Sequence, residues 1–307
     1  MADMIKQYKY TKICRIEWND NRMKIGLVLE GGALRGLFTA GALDFLMDEH
    51  VAFDYIAGVS AGAGNMMNFL SGQRGRTKQI ISPGKKDSYY GPVQLIKTGS
   101  FLNLEKMVFE FSYKTFPYDF KAHHETKVEH EVVVVNCDTA QAEYIDGSGD
   151  DRHTLTAVKA SCSVPLLSIP VEMDGHDYMD GSLVDSIPYN RAFEKGCDKV
   201  VIIMTKTGNE TPTDYNKYKF LIKAAYGKRY PKFADALLNR ADVYQTQKTE
   251  MERLTAEGKI MVIRPKMPCI SKFETRESKR EEFYQHGYQR MQEEYKALRV
   301  FMEEAEC

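Results

Sequence analysis

The chain is predicted to be an α/β protein, with a mostly parallel sheet covered by helices. Three observations carry that reading. Short apolar runs bounded by turn residues read as buried strands at 25–29, 53–59, 131–135 and 200–204. Segments with helical spacing of apolar residues lie between them, at 37–46, 61–70, 151–161 and 189–195. The alternation continues across residues 23–204, as parallel strands joined by crossover helices require.

Taken in order, residues 1–22 are polar and read as a lead-in, with a short strand near 13–18. The strand at 25–29 runs into Gly31 and Gly32, which permit a tight turn before the helix at 37–46. The strand at 53–59 ends at Ser60, and a helix follows directly over 61–70. Residues 71–120 are rich in Gly, Lys, Ser and aromatics and are interrupted at Pro83-Gly84 and Gly91-Pro92, with a helix expected over 102–111. Such a stretch fits either a cover over a neighbouring site or an insertion packed on the sheet. Residues 131–135 form the clearest strand, β-branched and apolar, and 143–146 is expected to pair nearby. The helix at 151–161 cannot continue through Pro165. Residues 171–179 alternate around Asp174-Gly175, a hairpin signal, and lead to Asp180-Gly181-Ser182. Gly196 closes the helix at 189–195.

Beyond Gly208 the texture changes. Residues 215–233 hold six Lys or Arg and no acid, interleaved with Tyr and Phe. The favoured reading is a helix with one buried aromatic face and one solvated basic face. A face for anionic lipid headgroups is the sharper alternative. A helix over 233–256, a strand over 259–264 and a charged helical tail over 272–304 complete the chain.

The 307 residues carry a net charge of −1, which gives no general pull toward nucleic acid. Six scattered cysteines lack metal-ligand spacing and read as reduced thiols. No stretch has the length of a transmembrane helix or the pattern of a signal peptide. The expectation is a cytoplasmic protein that meets lipid, where it does, from the membrane surface.

Chemistry concentrates at two glycine motifs. Gly58-Val59-Ser60-Ala61-Gly62, between strand and helix, has the form of a nucleophile elbow, a strained turn that points its serine out of the sheet. A plain glycine-rich turn is the bland alternative. A serine attacking a carbonyl creates an oxyanion, which needs backbone N–H donors set around it. Gly31-Gly32-Ala33, ahead of a helix whose first N–H groups lack internal partners, can supply them. Arg35 would fix that loop or add positive potential. A dinucleotide fingerprint fits less well, because Ala33 interrupts every G-x-G-x-x-G frame and Asp54 starts its strand.

The serine also needs a base. The histidines after it are His123, His124, His130, His153, His176 and His286, and none lies in a glycine-bounded turn at a strand end. His123, His124 and His130 read as exposed, His176 as a strand-surface residue, and His286 lies in the charged tail. A carboxylate acting directly is the other solution. Asp-Gly-Ser occurs at Asp146, in a polar loop, and at Asp180, ahead of the more apolar Leu183-Val184-Asp185-Ser186-Ile187-Pro188. Burial there would raise the carboxyl pKa toward that of a useful base.

Three motifs in order, Glu30-Gly31-Gly32-Ala33-Leu34-Arg35-Gly36, Gly58-Val59-Ser60-Ala61-Gly62 and Asp180-Gly181-Ser182, resemble those of the patatin-like phospholipase family, and of a bacterial branch in particular. The flanks agree at Lys159-Ala160-Ser161-Cys162-Ser163-Val164-Pro165, Tyr178-Met179 and Ile187-Pro188. The resemblance covers about residues 24–205. It implies a three-layer α/β/α sandwich and a Ser–Asp dyad acting on acyl esters, often of lipids. It selects Asp180 over Asp146, with Ser60 as nucleophile, Asp180 as base and Gly31, Gly32, Ala33, Leu34, Arg35 and Gly36 as the oxyanion loop. Gly58, Gly62, Gly181 and Ser182 support the motifs. No metal or cofactor is implied. Ala33 stands where the family usually has glycine, and Ser182 where it usually has glycine or alanine.

The expected organisation is therefore a lead-in at 1–22, a catalytic domain at 23–205 with 71–120 as a candidate cover, and a mainly helical region at 206–307 packed on it. The expected activity is serine acyl hydrolysis. The alternative is a non-hydrolytic lipid- or partner-binding module on the same fold.

Overall fold

A computed structural model describes residues 23–210 and 213–303. The lead-in at 1–22, with its expected strand near 13–18, lies outside them.

In chain order the elements are β1 (Ile25–Leu29), α1 (Gly36–Asp48), β2 (Tyr55–Val59), α2 (Ala61–Leu70), α3 (Arg76–Ile81) and α4 (Pro92–Thr98). A π-helix (Glu105–Thr115), α5 (Phe120–Glu125), β3 (Glu129–Asn136), β4 (Ala142–Asp146) and α6 (Asp151–Ser161) follow. Then come β5 (Val171–Met173), β6 (His176–Asp180), α7 (Tyr189–Glu194), β7 (Lys199–Ile203), α8 (Lys219–Tyr226), α9 (Pro231–Ala256), β8 (Ile260–Ile263) and α10 (Glu277–Glu303).

The strand order is β5-β6-β3-β2-β1-β7-β8, with β4 also on β3. The five strands from β3 to β8 are parallel, and β4, β5 and β6 join antiparallel. Alternating side chains of each central strand enter opposite layers, as the pleat requires. Leu27 and Leu29 pack with α1, α2 and α6, and Val28 packs with Tyr189 and Ala192 of α7 and Tyr244 of α9. The result is the expected three-layer α/β/α sandwich. β8, from the C-terminal region, extends the same sheet through its parallel pairing with β7.

Three local expectations are corrected. The helix expected over 102–111 begins later, after Asn103, whose side chain accepts the Lys106 N–H (2.9 Å), and it winds as a π-helix as far as Thr115. The helix expected over 215–233 is two helices, because Pro231 lacks the N–H that would continue α8 and opens α9 instead. Its aromatic face is buried as read, at Tyr215, Ile222, Tyr226, Tyr230 and Phe233, yet Phe220 is 84% exposed. The C-terminal helix starts at Glu277 rather than 272.

One strand brings the motifs together. Val133 of β3 lies opposite Val59 of β2, and Val134 opposite Asp180 of β6. The ends of two chain segments far apart in sequence therefore meet beside the same stretch of β3.

Candidate active site

Ser60 sits between β2 and α2 with φ 56 and ψ −124, a conformation that side chains rarely adopt. The neighbourhood enforces it. Its N–H donates to Ser161 Oγ (2.7 Å), and that hydroxyl donates to the Val133 carbonyl (2.6 Å). A Cβ on Gly58 would lie 2.8 Å from Ala63 Cα, and one on Gly62 would overlap the Leu29 carbonyl. Both glycines of the elbow are needed for close approach.

The loop after β1 lies against this turn. A Cβ on Gly31 would come 2.8 Å from Ser60 Cβ, and one on Gly36 2.9 Å from Ala61 Cβ. The Leu34 and Arg35 N–H groups are engaged by the carbonyls of Lys272 (3.4 Å) and Gly32 (3.1 Å). The N–H groups of Gly31, Gly32 and Ala33 have no acceptor among the described residues. Of the expected oxyanion donors these three are open, whereas those of Leu34, Arg35 and Gly36 are already in use. Arg35 fixes the loop, as one reading expected: its Nε donates to the Ile270 carbonyl (2.9 Å), and its Nη1 pairs with Glu210 (2.5 Å). Ala33 has φ 52. Relative to glycine, an alanine held there costs about 1–2 kcal/mol. The departure from the family pattern therefore stores strain in the loop while leaving its N–H in place.

Asp180, at the end of β6, is 4% exposed. Its Oδ1 accepts the Ser182 N–H (2.9 Å). Burial raises the Asp180 carboxyl above its ordinary value, and the Ser182 N–H, the nearby hydroxyls of Ser182 and Ser60 and the Arg240 cation only partly oppose the rise. Gly181 allows β6 to close on β3, since a Cβ there would lie 2.6 Å from the Val133 carbonyl. Asp146 sits at the exposed end of β4 and binds Ser148.

Ser60 opens into a cavity of about 110 Å³ whose lining includes Ala33, Leu34, Met67, Ile80, Met107 and Val108, and no histidine. The expected exposure of His123 and His130 is corrected: both are buried, with ring centroids 4.9 Å apart. His123 Nε2 donates to the Gly147 carbonyl (2.8 Å), and burial lowers its pKa to about 4. His123, on α5, and His130, on β3, meet against Gly147 after β4, and the polar spacing of 121–130 concealed them. Asp54 accepts the Ile25 N–H (2.8 Å), a strand-start contact with no free carboxylate for a ribose.

Several residues near the site carried no local signal. Glu30, beside the oxyanion loop, is buried among Lys206, the Thr205 N–H (2.7 Å) and the Tyr244 hydroxyl (2.9 Å). Burial pushes the Glu30 carboxyl up, but Lys206 and these hydrogen bonds more than reverse it. Thr205 Oγ1 donates to the Gly31 carbonyl (2.8 Å), so the network ties the loop to β7 and α9. Arg240 donates through Nε to the Ser182 carbonyl (3.0 Å), bracing the Asp180 turn. Lys272 lines the cavity, and burial with the nearby cations Arg240, Lys206 and Arg35 brings its ammonium down to about 8.

The profile of the patatin-like phospholipase family matches residues 27–193, and a domain of unknown function (DUF6363) matches residues 230–303. YjjU, an uncharacterized protein of Escherichia coli, is 29% identical over 196 residues, which are 59% of this chain and 52% of that protein. Lysophospholipase NTE1 of Saccharomyces cerevisiae is 23% identical over 205 residues, 62% of this chain and 11% of that protein. Candida glabrata NTE1 is 24% identical over 202 residues, again 62% of this chain and 11% of that protein. The chain thus spans about half the length of the first relative and about a tenth of the others. Among solved structures, VipD from Legionella pneumophila shares the fold, with a TM-score of 0.50 and 14% identity over 90% of this chain and 67% of that one.

Proposed function

Since the chain belongs to the patatin-like phospholipase family, we propose that it hydrolyses carboxylic esters of lipids, with Ser60 as nucleophile and Asp180 as its base. The observation that carries the reading is the buried Asp180 carboxylate, brought with Ser60 to the same stretch of β3, beside a cavity that Ser60 lines and to which no histidine among the described residues contributes. Asp180 takes the Ser60 proton as the serine oxygen attacks the ester carbonyl. The open N–H groups among Gly31, Gly32 and Ala33 hold the tetrahedral oxyanion. Asp180 then protonates the departing alcohol. Water enters and gives a proton to Asp180 as its oxygen attacks the acyl carbon, and Asp180 returns that proton to the Ser60 oxygen as the acid leaves.

A fluorophosphonate probe tests this, because only an activated serine is labelled. Labelling is expected at Ser60 and is expected to vanish in Ser60→Ala. An intact wild-type protein that stays unlabelled would instead point to a binding module on the same fold.

No helix among the described residues is long and apolar enough to cross a membrane. Contact with a lipid surface is proposed through exposed apolar side chains of α4 and α8. Ile96 of α4 is 87% exposed, with Val93 and Leu95 beside it, and Phe220 and Leu221 project from α8. The loop between α6 and β5 links the two helices: Leu167 accepts from the Phe101 and Leu102 N–H groups, and the Leu166 N–H donates to the Tyr226 hydroxyl. Lys97, Lys217, Lys219 and Lys223 are exposed among these apolar groups, a pattern suited to anionic headgroups. Ile96→Asp combined with Phe220→Asp is expected to abolish sedimentation with anionic vesicles while turnover of a water-soluble ester persists. Unchanged sedimentation would remove the docking surface.

A further inference from the structure

The cavity that starts at Ser60 has apolar walls, but its lining also includes Asn68, Arg76, Ser112 and Tyr118. These four form one cluster. Arg76 donates through Nη1 to Asn68 Oδ1, through Nη2 to Ser112 Oγ (3.2 Å) and the Phe116 carbonyl (2.7 Å), and through Nε to the same carbonyl (2.9 Å). Its guanidinium lies 5.0 Å from the centre of the Tyr118 ring. Every acceptor is neutral. No carboxylate pairs with Arg76 among the described residues, although the side chain is only 7% exposed. A buried cation without a counter-charge is costly, and a protein ordinarily neutralises or pairs it.

The position of the cluster along the cavity follows from α2. Ser60 caps the helix and Asn68 lies eight residues further on, about 12 Å at the rise of an α-helix. Both line the same cavity. A chain attached at Ser60 and running along α2 therefore passes apolar walls and then meets a cation.

We propose that this cavity takes a medium-length acyl group whose far end carries a carboxylate, with Arg76 as the partner of that carboxylate. Nη1 uses one of its two N–H bonds on Asn68, which leaves one for the ligand. The anion supplies the counter-charge that the chain itself withholds, and a methyl terminus cannot. The ester of a dicarboxylic acid and water then give the free diacid and the alcohol, with the distal carboxylate unchanged. The inference rests on the hydrolase reading above and specifies its acyl side.

The test compares 4-nitrophenyl decanoate with the mono-4-nitrophenyl ester of decanedioic acid on the wild-type protein. The ω-carboxy ester is expected to have the larger kcat/KM by about tenfold or more, as a hydrogen bond to a charged group allows. Arg76→Met is expected to reverse the ratio. Because Arg76 also holds the Phe116 carbonyl and the variant could fail to fold, the wild type is run as well with the hexanedioic and hexadecanedioic monoesters, and its preference is expected to peak at decanedioic. Equal rates, or faster cleavage of the methyl-terminated ester, overturn the proposal and leave the hydrolase reading standing. If neither ester is cleaved and Ser60 is not labelled, the hydrolase reading fails, and thermal shifts decide the acyl site. Decanedioate stabilising more than decanoate upholds it, and equal shifts overturn it.

Discussion

Asp180→Asn is expected to lower turnover by about 10²–10⁴-fold, the range supplied by a positioned base, while raising the melting temperature. The two effects share a cause. The folded carboxyl sits above its ordinary value because it is buried, so the fold prefers its neutral form. Between the unfolded and folded pKa values the native state binds more protons than the unfolded chain, and stability falls as pH rises. Above that window the ionised carboxylate is a standing cost to the fold. Asparagine keeps an oxygen for the Ser182 N–H, cannot ionise and cannot accept the serine proton. Turnover of a soluble ester and a melting curve on the same preparation decide the matter. Retained turnover would move the base elsewhere. Lost turnover with a lowered melting temperature would assign Asp180 to holding the fold. In the wild type, the acidic limb of kcat/KM, which reports the base of the free enzyme, is expected above the 3.8 of an ordinary aspartate.

The sheet and the elbow were legible because their signals are local. The helix at 61–70 and the helix at 151–161 were read to the residue, since Ser60 and Asp150 mark their starts and apolar spacing fills them. That the strands ending at Ser60 and Asp180 flank one stretch of β3 had no local signal, because β3 register, not sequence distance, brings them there; the sequence pointed to the pair only through the ordered motifs and their resemblance to a family. What escaped is what has no local pattern. Glu30 lies 176 positions from Lys206 and 214 from Tyr244, and the three become partners only when β1, β7 and α9 pack. Ser161 looked like one more residue of a motif flank, yet it ties the elbow to β3. His123 and His130 looked polar and exposed, because a single buried imidazole leaves no periodic mark. Ala33 stood out as a departure from glycine, but its cost depends on φ, which no residue list contains.

The same limit hid the contact that joins α1 to α10. α1 and α10 cross so closely that a Cβ on Gly41 would overlap the Tyr284 carbonyl, and one on Gly287 would overlap the Phe38 carbonyl. Around the crossing, Phe45 meets Tyr288 and Tyr295 edge-on, and the Tyr284 hydroxyl donates to Asp44 (2.5 Å). Gly287→Ala sets two effects against each other. Helix propensity favours alanine by about 1 kcal/mol. Overpacking typically costs 1–3 kcal/mol, with about 3 or more expected here because the obstacle is backbone rather than a flexible side-chain end. The clash wins. Gly287→Ala and Gly41→Ala are each expected to lower stability by about 2 kcal/mol, well beyond the effect of an exposed alanine substitution in α10. Because either methyl group already separates the helices, the double variant is expected to lose less than the sum of the two single losses. Denaturant unfolding of the four proteins measures this. Additive losses would mean that the glycines are accommodated independently and that the helices do not share one close crossing. The tail that the sequence presents as a charged, surface-like helix is then the element that completes the layer carrying α1, and through α1 it supports the loop beside Ser60.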